Sequence, residues 1–116
     1  MRVAKIHPMT LIDKYIGYIT NVRRYSSRTV SIYSDVLKNY LRVIHNADSV
    51  EDSGLLSSLN CSEIRQYEVA ILEGGLSSRT VGLHLSAISS FCRYLVKEKC
   101  LKSNPVKLVA KPKVEK

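Results

Sequence analysis

Apolar residues recur at helical spacing in four stretches of this chain, and no stretch alternates at strand spacing. The first follows Pro8, a residue suited to an opening helical turn, and runs Met9, Ile12, Tyr15, Ile16, Ile19, Val22. Gly17 sits inside it at a cost of about 1 kcal/mol relative to alanine, which would be explained by close packing at that point. The second stretch, 27–45, turns Val30, Tyr33, Leu37, Tyr40, Leu41 and Ile44 inward and Arg28, Ser31, Asp35, Lys38, Asn39 and Arg42 outward. Residues 46–59 show no period and read as a polar connection. Asn60 with Glu63 makes a capping-box-like start for a third helix, which buries Ile64, Tyr67, Ala70 and Ile71 and stops at Gly74-Gly75. The fourth, 78–99, has Val81, Leu85, Ile88, Cys92 and Leu95 on one stripe, with His84 and Phe91 beside it. Its other face carries Arg79, Gly82, Ser86, Ser89, Ser90, Arg93 and Lys97, small residues with positive charge at both ends. The expected class is all-α, four helices arranged as two crossed helical hairpins.

Two of these helices open on the same words. Ser26-Ser27-Arg28-Thr29-Val30 is repeated as Ser77-Ser78-Arg79-Thr80-Val81, 51 residues further on. Ser27 and Ser78 are the expected N-caps, placing Arg28 and Arg79 at the first helical position beside unpaired backbone N–H groups. A cation there does nothing for the helix dipole, so a bound phosphate is the better explanation of a pair of them.

Charge sharpens that picture. The 116 residues carry a net +8, spread unevenly. Residues 1–50 hold eight Lys/Arg against three Asp/Glu, residues 51–75 one against five, and residues 76–116 nine against two. Positive charge therefore travels with the two repeated helix starts and the tail, as a polyanion-binding face requires. Length and 45% hydrophobic content fit one globular domain. No apolar run approaches the roughly 20 residues that span a bilayer, and the opening residues show no secretory leader. Cys61, Cys92 and Cys100 lack metal-ligand spacing and read as reduced thiols of a cytoplasmic protein.

The order of signals resembles the N-terminal core-binding, SAM-like domain of tyrosine recombinases, the phage-integrase and Xer-type enzymes. Ser27-Arg28-Thr29-Val30 with Tyr33, Leu37 and Tyr40 carry it in the first half. In the second half it is carried by Gly75 to Val81, Leu85 to Phe91, Tyr94-Leu95 and Ser103-Asn104-Pro105-Val106. The resemblance implies a four-helix domain forming half of a C-shaped clamp on duplex DNA, with the second and fourth helices across the major groove. Arg28, Thr29, Arg79 and Thr80 would then meet phosphates at the two helix starts. Lys38, Asn39, Arg42, Ser86, Ser90, Arg93 and Lys97 would approach groove or backbone, and Lys111 and Lys113 would track the backbone from a linker. The implied layout is a lead-in over 1–7, a DNA-binding domain over 8–103, and a basic linker over 104–116 toward a catalytic domain. Other recombinase subunits, four on DNA, are the implied protein partners.

No chemistry of its own is expected of the chain. The family's reaction needs a cluster of cations around the phosphoryl group and a nucleophilic tyrosine, both in a downstream domain. Tyr15, Tyr33, Tyr40, Tyr67 and Tyr94 lie on or beside apolar stripes and read as core, while Tyr18 and Tyr25 are not placed by the pattern. His7, His45 and His84 share no metal or proton-relay spacing, so no cofactor, metal, membrane or small-molecule substrate is expected. Two other readings stay open at this point: a helical protein-interaction domain, and a free-standing DNA-binding regulator.

Overall fold

Each of the four long helices begins at a side-chain oxygen that accepts from the N–H three residues on. The computed structural model describes residues 9–109. Over these the chain forms α1 (Leu11–Asn21), α2 (Ser27–His45), α3 (Asp52–Ser57), α4 (Cys61–Glu73) and α5 (Ser78–Lys97), followed by a single 3-10 turn, Pro105–Leu108. Thr10 caps α1 in a reciprocal box with Asp13, and Asn60 Oδ1 caps α4 through the Glu63 N–H at 2.9 Å. The caps of α2 and α5 are Ser26 and Ser77, one residue earlier than expected. Each hydroxyl, held on extended backbone, reaches the N–H of Thr29 or Thr80 at 3.2 Å, so Ser27 and Ser78 become first helical residues.

The class is all-α as expected, but the described residues hold five α-helices rather than four. The addition is α3, inside the stretch read as a polar connection. It buries Leu55, with Leu59 just beyond it, and is tied down by distant partners. Asp52 Oδ1 accepts from the Leu11 N–H at 3.1 Å, and Tyr40 donates to the Ser58 carbonyl at 2.8 Å. Six residues are too few to show a period or to be helical alone, so tertiary contact decides them.

The α1–α2 and α4–α5 hairpins pack on one another, with α5 touching α1, α2 and α4. Val81, Leu85, Ala87, Ile88, Phe91, Cys92 and Leu95 of α5 are wholly buried, among Tyr15, Ile19, Tyr40, Ile64 and Tyr67 of the other helices. The rings interlock: Tyr15 meets Phe91 at 5.1 Å and Tyr40 meets Tyr67 at 5.0 Å. In α1 the buried row is Leu11, Tyr15, Ile19, with Met9 and Val22 exposed. Those two lie outside the helix proper, before the Thr10 cap and at the C-cap, so they leave its phase. Pro8 lies outside the described residues. A Cβ at Gly17 would meet open space, so no close packing accounts for that glycine.

Two helices end on basic residues in a left-handed conformation. Arg24 has φ 57° and Lys99 φ 64°. The N–H groups that follow them, of Tyr25 and Cys100, return to the carbonyls of Ile19 and Leu95 at 2.8 Å each; with Lys99 N–H on the Val96 carbonyl this is a Schellman closure of α5, while the return onto α1 spans one residue more. Gly75, at φ 103°, does the corresponding work after α4.

Residues 104–109 correct the expected linker. Asn104 is buried, its Oδ1 accepting from the Val106 N–H at 3.0 Å and its Nδ2 donating to Ser89 Oγ at 2.8 Å. Val106 and Val109 are buried with the core, so the chain folds back on α4 and α5 instead of leaving at Asn104.

Candidate nucleic-acid interface

The two repeated helix starts have the same geometry. Ser26 Oγ donates to Thr29 Oγ1 at 2.9 Å, and Ser77 Oγ to Thr80 Oγ1 at 3.0 Å. Each cap therefore engages both the N–H and the hydroxyl oxygen of its threonine. The threonine hydroxyl proton stays free to donate outward. Neither α2 nor α5 carries an acid in its first turn, whereas α1, α3 and α4 carry Asp13, Asp52 and Glu63. Arg28 and Arg79, at the second helical position, are exposed. Positive dipole end, cation and hydroxyl donor thus coincide twice with no carboxylate beside them.

Between α2 and α5 runs a groove of about 420 Å³, lined by Lys38, Asn39, Arg42 and Asp35 from one side and Leu83 and His84 from the other. Lys38 is exposed. Arg42 meets Asp48 at 3.6 Å, but with both side chains mostly in solvent the pair is weak, and Arg42 can exchange it for a phosphate. Asn39 is half-committed. Its Nδ2 donates to the Tyr67 hydroxyl at 2.9 Å, and that hydroxyl lies 2.7 Å from His84 Nδ1. With the amide proton taken by the tyrosine oxygen, the hydroxyl donates to Nδ1 of a neutral imidazole. Burial holds His84 below its ordinary pKa and raises that of Tyr67, and both effects favour this arrangement. One three-residue chain thereby joins α2, α4 and α5 and fixes the walls of the groove.

The outer stripe of α5 emerges as expected at Arg79, Ser86, Arg93 and Lys97, with Gly82 between them. Ser90 does not belong to it. It is 8% exposed and accepts from the Tyr15 hydroxyl at 2.7 Å, so α1 covers it and it cannot reach a groove. Ser89 Oγ already accepts from Arg93 Nη1 at 3.2 Å and from Asn104 Nδ2. This orients Arg93 along the helix. Lys97 touches Glu98 at 3.5 Å and stands over the Tyr18 ring at 5.3 Å. Lys111 and Lys113 lie outside the described residues.

Arg23 is not among the contact residues expected from the sequence, yet it lines one pocket with Arg93 and Lys97. The available signal was an arginine pair followed by an aromatic. Sequence reasoning also placed His84 beside the core without seeing its link to Asn39. As for chemistry, Tyr15, Tyr40 and Tyr67 are fully buried. Burial pushes the Tyr15 hydroxyl up to about 12, the opposite of an activated nucleophile. Among the described residues no group of His, Cys, Asp and Glu has metal-site geometry, and no helix is long and apolar enough to cross a membrane.

Comparison with known proteins shows the family. The family model of the phage integrase N-terminal SAM-like domain matches residues 12–99. Tyrosine recombinase XerC of Bacillus pumilus is 29% identical over 106 residues, covering 91% of this chain and 33% of that protein. The XerC proteins of Psychromonas ingrahamii and Escherichia coli O1:K1 are 32% and 33% identical, covering 91% and 90% of this chain and 34% of each relative. The chain thus spans about a third of the length of these curated relatives, and its 116 residues hold no recombinase catalytic domain. No solved structure matches it.

Proposed function

The chain belongs to the phage integrase N-terminal SAM-like domain family, and from that premise we propose that it binds double-stranded DNA as the core-binding half of a tyrosine recombinase clamp. The observation that carries this reading is the doubled helix start: two exposed arginines, each on a capped, acid-free helix terminus, on the same two helices that wall a groove carrying Lys38 and Arg42. Arg28 and Thr29, with Arg79 and Thr80, hold phosphates. Lys38, Asn39 and Arg42 approach the duplex from the wall of that groove, and Ser86, Arg93 and Lys97 approach its groove or backbone from the outer stripe of α5. Lys111 and Lys113 extend the contact along the backbone. The parent recombinase supplies the catalytic residues, acts in the bacterial cytoplasm with other subunits on the same DNA, and carries out site-specific recombination or integration.

Binding of this kind is mostly phosphate neutralisation, so it weakens steeply with salt. Fluorescence anisotropy with a labelled random-sequence duplex, titrated over a salt series, tests it. Arg79→Ala and Arg93→Ala are each expected to weaken binding about tenfold, the worth of one charge-assisted contact, with helicity unchanged. If both variants bind like wild type, α5 does not face the duplex.

A protein contact is a second reading, favoured by Val69 and Leu72. These stand exposed on α4, in the acidic part of the sequence. Stable self-association at micromolar concentration, with indifference to DNA, would install it as the primary function.

A further inference from the structure

Where the C-terminal end of α1 meets the last turns of α5, a pocket of about 240 Å³ is lined by Arg23, Arg93, Lys97, Tyr18, Tyr25 and Ser90, among others. Three cations converge on it and no carboxylate lines it. Their holders are unusual. Arg23 lies over the Tyr25 ring at 5.8 Å and Lys97 over the Tyr18 ring at 5.3 Å, so aromatic faces position two of the charges without cancelling them. Glu98 meets Lys97 at 3.5 Å from an exposed position, but it is not in the wall. Arg93 spends one N–H on Ser89 and keeps the rest of its fork. Ser90 is also in the wall, but nearly buried and already accepting from the Tyr15 hydroxyl, so the three cations are the donors.

Arg23 reaches this place because of the turn that follows it. Its N–H returns to the Tyr18 carbonyl at 3.0 Å, and Arg24 takes a left-handed φ of 57°, a conformation that costs a residue with a Cβ. Like charges facing one small polar space repel unless an anion sits among them. At roughly 30 Å³ per water, the volume admits a phosphate group and a few waters.

We propose that this pocket seats one phosphodiester of the bound duplex, with Arg23, Arg93 and Lys97 as donors, so that α1 joins α2 and α5 in gripping the DNA. This rests on the DNA-binding reading above, because Arg93 and Lys97 continue the outer stripe of α5. It adds a contact residue outside the repeated helix starts and assigns a definite phosphate seat.

The test compares Arg23→Gln with Arg24→Gln in the full chain. Both remove one charge from the same turn, but Arg24 does not line the pocket. Duplex anisotropy over a salt series should show Arg23→Gln weakening binding about tenfold and flattening the log–log slope by about 0.9, one phosphate's worth. Arg24→Gln should act only through the general field, with a severalfold smaller loss. Arg23→Lys should restore the slope while regaining only part of the affinity, since a point charge replaces a fork. Equal effects of Arg23→Gln and Arg24→Gln would overturn the seat while leaving DNA binding intact. No duplex binding by wild type would overturn both. A free-anion site is distinguished by titrating inorganic phosphate and following the guanidinium N–H resonances of Arg23 and Arg93. Millimolar shifts there, together with unchanged duplex binding by Arg23→Gln, would refute the DNA assignment. Unchanged thermal unfolding of the glutamine variants checks that the fold is intact.

Discussion

Removing a single oxygen, by Tyr67→Phe, tests whether the groove between α2 and α5 is held by the Asn39–Tyr67–His84 chain. The ring is wholly buried and its edge contact with Tyr40 survives the change. What is lost is the acceptor for Asn39 Nδ2 and the donor to His84 Nδ1, bonds of 2.9 and 2.7 Å. Each such bond contributes roughly 0.5–1.5 kcal/mol net, and a partner left unsatisfied in the interior costs more. Asn39 and His84 are only half-buried, however, so water replaces part of each bond. The expected loss is about 1.5 kcal/mol, or roughly 6–12 °C in Tm for a domain near this size. Thermal and urea unfolding followed by far-UV circular dichroism measure it. Tyr33→Phe is the control: Tyr33 is half-buried and its hydroxyl has no protein partner among the described residues, so it should stay within about 0.5 kcal/mol of wild type. Double-mutant cycles of Tyr67→Phe with Asn39→Ala and with His84→Ala should both return coupling energies. If Tyr67→Phe is as stable as wild type, or the cycles close to zero, the chain does not brace the groove.

Gly17 and Gly82 lie inside helices with open space around the site of a Cβ. Alanine at either is expected to add about 0.5–1 kcal/mol of stability; Gly82→Ala should also weaken duplex binding, because Gly82 lies on the outer stripe of α5, and Gly17→Ala should not. Thiol titration with an aromatic disulfide should count two fast cysteines, Cys61 and Cys100, and one that reacts only on unfolding. That one is Cys92, wholly buried, its thiol pushed up to about 12 by desolvation. Burial lowers the pKa of folded His84, while the unfolded ring titrates near 6.5. Stability is therefore full above about 6.5 and is lost as pH falls through that value toward the lowered folded one, because the unfolded chain takes up a proton the fold resists. Tm compared between about pH 7.5 and about pH 5 should fall less in His84→Gln than in wild type, and an equal fall would refute the assignment.

What sequence could show of this domain was whatever neighbours in the chain decide. The helix starts were legible because a cap hydroxyl needs only an N–H three residues away. The one-residue error arose where two serines stand side by side and either can serve. Features decided across the chain were not legible. Ser90 borders the polar stripe of α5 and looks like surface until Tyr15, 75 residues earlier, covers it. Helix α3 has no period to read and exists because Asp52 and Ser58 find partners on α1 and α2. Asn104-Pro105 has the local chemistry of a chain exit, yet Asn104 finds Ser89 and two valines find the core. The same distinction governs the interface. The charge of the turn after α1 was countable in advance, but nothing local separates Arg23 from Arg24. They differ because the turn that closes α1 puts Arg24 itself into the left-handed conformation and leaves Arg23 beside Arg93 and Lys97 of a helix seventy residues on. A phosphate seat of that kind is a tertiary property, and the paired glutamine substitutions measure it as one.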